Sequence, residues 1–450
     1  MAMETTGMQR GTKTFLAIWA GQFASVFGSA LSSFALGVWI YTSTHSVELF
    51  AGQMLAFAVP QVILSPLAGA LADRWDRRIA MLVGDAGAGL TMLTIAVLFA
   101  SGNLDPGHVI LLTACMSAFN SLIWPAYSAA TTLLVPKQHL GRASGMVQMA
   151  EGASQLAAPA LAGVLYARTG LGNFVLLDAA SYAISIVVLL IVRFPRPAVS
   201  AEGRGARASI LSDMKFGWTY ITARVGLLGL LLYFAASNLL FGFAQPLFGP
   251  MILDTWDEQV FGYLSSIIGL GMLAGTVVMS AWGGTRRRVY SLLGAGAIGG
   301  LFIMILGLRP SIPLIALGGF GIMFTMPIVT ASSQAIWQTR VEPDIQGRVF
   351  SVRRMIAWSA GPAAMALAAP LAERIFKPLM AEGGALASTL GPVMGVGPAR
   401  GIGLMIVLVG LLEVVLTIVA AAIPQIRSVE QEIPDAVPST GRFPSPSFDV

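Results

Sequence analysis

Four carboxylic acids lie within long apolar segments of the chain, where an ionisable side chain is costly. They are Asp85, Glu151, Asp178 and Glu413, each flanked by stretches of Ala, Leu, Val and Ile. Ionisable residues in such segments are functional candidates by default. A carboxyl group in an apolar setting can bind and release a proton near neutral pH. The chemistry that these residues predict is therefore proton binding coupled to another event.

Glu151 is the favoured proton-binding residue. Gln155 follows it by four positions and Gln148 precedes it by about one turn, so the three side chains share one helix face. The alternative is a structural ion pair with a nearby arginine. Asp85 lies close to the end of its segment, where bonding to loop residues is a competing role. Asp178 and Glu413 remain further candidates.

Amides and aromatic side chains are scattered singly through the other apolar segments. A cavity with apolar and aromatic walls and few polar groups suits an amphipathic organic molecule. A sugar or phosphate site would need many convergent polar groups or paired basic residues. Besides Gln148 and Gln155, the candidate cavity residues are Gln22, Asn120, Trp124, Asn238, Gln245 and Gln334. Packing or lipid contact is the alternative role of each aromatic residue.

The elements that must position these side chains are membrane-spanning helices. Of the 450 residues, 56% are hydrophobic and 11% charged, and the mean hydropathy is +0.76. These values exclude a disordered chain, a nucleic-acid-binding domain and an ordinary soluble enzyme. One span needs about 20 apolar residues, and strands of a barrel would be about 10 residues long and alternate. The chain contains twelve long runs: 15–40, 47–71, 79–101, 108–134, 144–167, 173–192, 225–251, 259–283, 289–308, 312–338, 349–372 and 401–423.

The runs divide into two sets of six, which predicts an all-α polytopic membrane protein of two six-helix bundles. The predicted divisions are an N-terminus over 1–13, a first bundle over 14–193, a linker over 194–224, a second bundle over 225–424 and a tail over 425–450. The proline-rich tail is expected to be disordered. The lone cysteine and the three separated histidines predict neither a disulfide framework nor a metal site.

Most of the 27 Lys and Arg residues fall on one side of the membrane when both termini are placed in the cytoplasm. Cytoplasmic loops carry such an excess, so both termini are predicted to be cytoplasmic. Five basic residues lie on the external side: Arg168, Arg309, Arg374, Lys377 and Arg400.

The two halves repeat a loop signature. The segment Val135 to Arg142 leads into the fifth run and Val341 to Arg348 leads into the eleventh, and each has a Val followed six positions later by Gly-Arg. Parallel repeats of this kind are a known architecture of transporters.

A loop motif between the second and third runs carries the clearest resemblance. Gly69, Asp73, Arg74, Arg77 and Arg78 reproduce the spacing of the cytoplasmic loop motif of the major facilitator superfamily, although Asp76 stands where the pattern often has Gly. The resemblance implies a cytoplasmic gate, in which Asp73 faces the N-terminus of the eleventh helix, whose dipole favours an anion. The eleventh helix begins near Gly347 and Arg348, so these residues would form the second-half side of the gate. The alternative is that these arginines are topology signals alone.

The fifth run has a second motif. Its stretch from Gly152 to Gly163, with Pro159, resembles the span-five motif of proton-coupled drug exporters, with Ala158 in place of the usual Gly. Pro159 frees a backbone carbonyl and is expected to kink the helix. Gly163 is expected to permit close packing of helices. Helix packing alone is the alternative, non-functional interpretation of this motif.

Further segments, 346–355 and 395–403, are similar to the macrolide-efflux and enterobactin-exporter-like branch of that superfamily. The resemblance covers residues 10–425. It implies a multi-pass cell-membrane exporter of a macrolide-like drug, siderophore or secondary metabolite, working by alternating access as a proton antiporter. It implies no cofactor beyond the proton gradient, no enzymatic activity, no nucleic-acid partner and a monomer in the lipid bilayer.

Other functions remain open on the sequence alone. A lipid or lysolipid flippase or a facilitator would have the same fold. A non-transporting membrane scaffold is a different class, against which the gate motif and the intramembrane acids argue. An importer is also possible, because helix pattern does not encode direction.

Overall fold

Every regular element in the computed structural model is a helix over the residues that it describes, 2–135, 140–192, 210–342 and 345–433. The first half contains α1 (Ala2–Thr44), α2 (Val47–Arg74), α3 (Arg77–Ala100), α4 (Pro106–Leu134) and α5 (Leu140–Ile191). A linker helix, α6 (Ile210–Thr222), follows. The second half contains α7 (Val225–Ala244), α8 (Phe248–Leu253), α9 (Glu258–Trp282), α10 (Arg288–Leu308), α11 (Ile312–Arg340), α12 (Gln346–Leu371), α13 (Lys377–Met380), α14 (Ala387–Met394) and α15 (Pro398–Ala422). Two short helices, α16 (Pro424–Arg427) and α17 (Val429–Glu432), end the described chain.

Polar residues in short turns start the long helices. Ser46 accepts a hydrogen bond from the backbone of Leu49 and begins α2. Asp76, Asp105 and Asp257 do the same for α3, α4 and α9. Such caps satisfy backbone donors that a helix leaves free at its N-terminus. Asp76, the residue that departs from the family loop pattern, is therefore an N-cap.

Eleven helices in the described part of the chain are long and apolar enough to cross a membrane. The predicted fifth and sixth spans are both contained in α5, whose dihedral angles leave the helical range at Gly170 (φ 67°, ψ 177°). The part of α5 before Gly170 is not among the eleven. Twelve crossings and the cytoplasmic location of both termini thus remain predictions.

The helices form two packed sets. In the first half α1 packs on α5 and α4 packs on α2 and α3, whereas in the second half α10 packs on α11 and α15 and α12 packs on α7. Between the halves, α5 contacts α9 and α2 contacts α12. Among the described residues, four buried apolar clusters lie within one half or the other, and a fifth contains residues of both.

Two segments predicted to lie outside the six-helix bundles contain helices. The linker helix α6 is tied to the loop after α11, because Tyr220 donates a 2.7 Å hydrogen bond to Glu342. This bond holds the pKa of the Glu342 carboxyl below its usual range. Residues 425–433, predicted to be disordered, are instead mostly helical, since Ile426 and Val429 are buried against the second half. Residues 434–450 and most of the predicted linker lie outside the described residues.

Candidate functional site: the interface between the two halves

An apolar seal joins the halves at the end of the bundle that the sequence predicts to be external. The ring of Phe34 in α1 stacks on that of Phe261 in α9, with centroids 4.7 Å apart. The ring of Phe248 lies 5.7 Å from Phe261. Val38 is completely buried in the same cluster. We call this set of contacts the external seal.

A buried polar contact lies beside the external seal. The hydroxyl of Tyr41 donates a 2.6 Å hydrogen bond to the carboxylate of Asp254 in the second half. The ammonium group of Lys377 lies 3.8 Å from the same carboxylate. A hydrogen bond to a charged group contributes more than one between neutral groups. This contact therefore fixes how the two halves meet more specifically than apolar packing does.

The end of the predicted eleventh span also reaches across to α2. The carboxylate of Glu373 accepts a 2.6 Å hydrogen bond from the backbone N–H of Val47, at the N-terminus of α2. The guanidinium of Arg374 lies 3.1 Å from the carboxylate of Glu48 in the first turn of α2. An anion at a helix N-terminus is favoured by the helix dipole. This pairing mirrors the one that the sequence predicts for Asp73 and α12 at the opposite end.

Small residues bring α5 and α9 into direct backbone contact. A Cβ added to Gly163 would stand 2.7 Å from the carbonyl oxygen of Glu258, and one added to Gly262 would stand 2.5 Å from that of Pro159. One turn before Pro159, the carbonyl of Leu156 accepts a 2.8 Å hydrogen bond from Ser266. The structure thus places Pro159 and Gly163 at the crossing of the two halves, and Gly262 is the partner that the sequence did not identify.

Asp85 lies inside the first half rather than in the interface. Its side chain is fully buried and accepts hydrogen bonds from Gln22 at 3.0 Å and Ser185 at 2.6 Å. Its second oxygen has no partner among the described residues. Gln22, a predicted cavity residue, is therefore bonded to a predicted proton-binding residue, with Gln22 in α1 and Asp85 in α3.

Asp178 occupies a second buried position between α1 and α5. Its carboxylate accepts hydrogen bonds from Ser29 at 3.1 Å, Ser181 at 3.2 Å and Ser32. The hydroxyl of Ser29 also lies 2.9 Å from that of Tyr182. Asn120, a predicted cavity residue, donates to Tyr182 over 3.2 Å and so joins this network.

Glu413 occupies the equivalent place in the second half. Its carboxylate accepts a 2.8 Å hydrogen bond from Ser237 and a 3.5 Å one from Tyr233, both in α7. Tyr233 also lies 3.1 Å from Thr417. Each half thus buries a carboxyl group between its first and its last long helix, and hydroxyl groups of the first helix hold it. No cation pairs with Asp85, Asp178 or Glu413 within the described ranges.

Glu151 has a different setting. It is partly exposed on α5, in the helix that crosses α9. None of the described side chains forms a hydrogen bond or ion pair with it. The neighbouring Gly152 lies next to Leu273 of the second half, which places Glu151 close to the interface.

A partly buried cationic residue of the second half lies near the start of the predicted eleventh run, 349–372. Arg353 donates to Gln334 at 3.0 Å and to Ser333 at 2.9 Å. Its guanidinium carbon lies 4.9 Å from the ring centroid of Trp337 and 6.0 Å from that of Phe234. The arginine, a predicted cavity amide and two aromatic rings thus form one cluster. The sequence feature that could have identified this cluster is the position of Arg353 two turns after the start of α12, within a membrane-spanning helix.

The remaining candidates have separate positions. Asn238 donates a 2.9 Å hydrogen bond to the carbonyl of Ala357, whereas Trp124, Gln155 and Gln245 are exposed. Of the gate motif, Arg78 donates to the carbonyls of Leu189, at 2.6 Å, and Leu190, so it ties α3 to the end of α5. The Nε of Arg77 is buried without a partner in the described segments. The side chains of Gly69, Asp73, Arg74, Gln148, Gly347 and Arg348 lie outside the described residues.

The sequence of residues 18–366 matches the family model described as Major Facilitator Superfamily. The chain belongs to this superfamily. Macrolide efflux protein A of Streptococcus pyogenes is 26% identical over 374 residues, which cover 80% of this chain and 90% of that protein. Multidrug efflux pump Tap of Mycolicibacterium fortuitum is 22% identical over 329 residues, covering 71% and 79% of the two chains.

A solved structure shows the same fold. A bacterial homolog of the human lysosomal transporter Spinster, in an inward-facing and unoccupied conformation, superposes with a TM-score of 0.67 at 14% identity, over 93% of this chain and 97% of that one. The expected family is confirmed. This major facilitator protein is therefore a multi-pass membrane transporter of the cell membrane, and it is not an enzyme.

Proposed function

We propose that this transporter exports an amphipathic organic compound by alternating access, driven by the entry of protons. The class of compound is a macrolide-like drug, a siderophore or a secondary metabolite. The observation that carries the proposal is the external seal, in which Phe34 and Val38 of one half close against Phe261 of the other. The similarity to a macrolide efflux protein over 80% of the chain supports the substrate class.

The contacts at the external end are of a kind that can open and close. The seal is apolar and its polar contacts are few, namely the pairs that involve Asp254, Glu373 and Arg374. When these contacts separate, the mirrored pairing of Asp73 with α12 would hold the halves together at the cytoplasmic end. Alternating access needs two closures that exchange in this way.

Glu151 is proposed as the proton-binding residue. It lies near the α5–α9 crossing, which changes when the halves move, and no described side chain holds it in one arrangement. Asp85, Asp178 and Glu413 are instead fixed by hydroxyl and amide donors inside one half. A carboxyl group that couples protons to conformation must differ in environment between the two states, and Glu151 meets that condition best.

The test uses inverted membrane vesicles with an acidic interior. Addition of a macrolide to wild-type vesicles should raise the internal pH, because protons leave as the compound enters. Glu151→Gln should abolish the rise, whereas Asp178→Asn, a control inside the first half, should retain it. A rise that persists in Glu151→Gln would reassign the proton site to Asp85, Asp178 or Glu413.

A further inference from the structure

An apolar groove runs along the outside of the second half. It is formed by the end of α9, by α10 and by α11, and its volume is about 550 Å³. Its walls include Tyr290, Ile298 and Phe302 of α10 and Leu317 and Phe320 of α11. Tyr290, Ile298 and Leu317 are exposed at 44%, 49% and 50%, so the groove opens to the surroundings of the protein.

The groove is separate from the interface between the halves. It lies wholly within the second half, whereas the halves meet where α5 packs on α9 and α2 packs on α12. Its position on membrane-spanning helices makes its surroundings the lipid bilayer. A molecule that fills it would therefore come from the membrane and would not lie on the proposed transport path.

The length of the groove matches one leaflet of a bilayer. Tyr290 and Phe302 both line the groove and are a little over three turns apart on α10, which is about 18 Å along the axis. The hydrocarbon region of a bilayer is about 30 Å thick, so one leaflet contributes about 15 Å. An extended acyl chain is the apolar molecule with these dimensions that every bilayer supplies.

One end of the groove lies beside three consecutive arginines. Arg286 and Arg287 precede α10 and Arg288 is its first residue, and the guanidinium carbon of Arg287 is 6.0 Å from the ring centroid of Tyr290 in the groove wall. Trp282, also in the wall, is 52% exposed. Tryptophan and tyrosine favour the level of the lipid headgroups, and clusters of basic residues at that level attract anionic lipids.

The loop that carries these arginines has a defined shape. Gly283 and Gly284 adopt φ values of 72° and 87°, which favour glycine. The backbone of Thr285 donates a 2.8 Å hydrogen bond to Ser291, and its hydroxyl donates a 2.5 Å bond to the carbonyl of Arg287. The acidic residue nearby, Glu430, is occupied in accepting a 3.0 Å bond from the backbone of Val289. Of the three arginines, Arg287 is the one whose guanidinium is located beside the groove. It also donates a 2.6 Å hydrogen bond to the side-chain oxygen of Gln431 when that amide is oriented to accept it.

We propose that this groove is a binding site for an anionic phospholipid, with one acyl chain between α10 and α11 and the phosphate against the arginines 286–288. The proposal does not depend on the exported compound or on the direction of transport. It assigns the lipid to the leaflet on the side of the α9–α10 loop, which the charge distribution predicts to be cytoplasmic.

Gly294 offers a specific way to fill the groove. It lies in the wall, and a Cβ added there would meet no heavy atom of the described residues within 4 Å. Gly294→Phe should therefore occupy the space of the acyl chain without displacing the backbone. The matched control is Leu301→Phe, a residue on the same helix that is 51% exposed and lies outside the groove.

The experiment uses the full-length protein in nanodiscs that contain phosphatidylglycerol or phosphatidylcholine with a photoreactive group on the acyl chain. Mass spectrometry then maps the labelled residues. We expect phosphatidylglycerol to label the groove at least about fivefold more than phosphatidylcholine, a difference typical of one arginine–headgroup contact. Gly294→Phe should lose the groove label, and Leu301→Phe should keep it.

A second variant tests the headgroup contact without altering the core. The double substitution Arg286→Gln and Arg287→Gln changes two exposed side chains and should reduce phosphatidylglycerol labelling to the level of phosphatidylcholine. Equal labelling of the wild type by both lipids would overturn the proposal. So would retained labelling in Gly294→Phe, or displacement of the label by an excess of a macrolide, which would make the groove a substrate site.

Discussion

Replacing Gly262 by alanine should open the closure between the two halves. The added Cβ would stand 2.5 Å from the carbonyl oxygen of Pro159 and 2.9 Å from the Cα of Gly163. Both atoms belong to the backbone of α5, so no flexible side chain can move aside. Because Cβ contacts shorter than 3.0 Å essentially never occur, α9 must move away from α5 by at least about 0.5 Å.

The magnitude follows from the rigidity of packed helices. Overpacking of this kind costs about 1–3 kcal/mol. The cost applies to the state in which α5 and α9 keep this crossing, and it is relieved when the halves turn and the external seal separates. A change of this size shifts the equilibrium between two conformations by roughly 5- to 150-fold.

A buried cysteine can report the opening. Val38 lies in the external seal and is 0% exposed. In a Cys115→Ala background, Val38→Cys should react slowly with a membrane-impermeant maleimide added to intact cells. Adding Gly262→Ala should raise the labelling rate at least about fivefold, because the cysteine becomes accessible in a larger fraction of molecules.

Gly152→Ala is the matched control. It lies in α5 where that helix faces α9, but among the described residues its Cβ would meet only Leu273, at an ordinary distance of 3.7 Å. Its labelling rate should equal that of the parent. The reasoning is refuted if Gly262→Ala folds normally and labels at the parental rate, or if Gly152→Ala raises the rate as much.

Three further predictions concern single side chains. Tyr41→Phe removes the hydrogen bond to Asp254, a charged group, which contributes about 1.5–3 kcal/mol. Labelling of the reporter cysteine should therefore rise at least about tenfold, and an unchanged rate would exclude this bond from the closure. Arg353→Lys keeps the charge but loses the planar donor fork that bonds Gln334 and Ser333. If this cluster contacts the exported compound, the KM of export should rise while the maximal rate changes little, and an unchanged KM would show that it does not. Ser237→Ala leaves the carboxylate of Glu413 short of a donor, at a cost of about 1–3 kcal/mol, so the Tm in detergent should fall; a wild-type Tm would show that the bond does not stabilise the fold.

Membrane-spanning segments could be predicted because apolar length is a local property of the sequence. The bounds of α9 (Glu258–Trp282) and α10 (Arg288–Leu308) lie within one residue of the predicted runs. The helices over 425–433 were missed for an equally physical reason. Ile426 and Val429 are too few to form an apolar run, and their burial depends on a surface that α7 and α10 supply.

The partners of the candidate residues could not be predicted, because they are distant in the sequence. Gln22 and Asp85 are 63 positions apart, and Tyr41 and Asp254 are 213 positions apart. Spacing along one helix identifies a shared face, but it does not show which other helix packs there. The partners of Arg353 were missed for the same reason, because the sequence places it near the start of the run 349–372 but does not show that it meets Gln334 and Phe234.

The most direct test of the account is uphill transport by the purified protein. It would be reconstituted in liposomes with an acidic interior, and a radiolabelled macrolide would be added outside. We predict that the compound accumulates inside above its external concentration, beyond the uptake by protein-free liposomes with the same pH gradient, and that an ionophore that collapses the gradient abolishes the excess. Equilibration of the compound without accumulation, at the same rate with and without the gradient, would contradict proton-driven export.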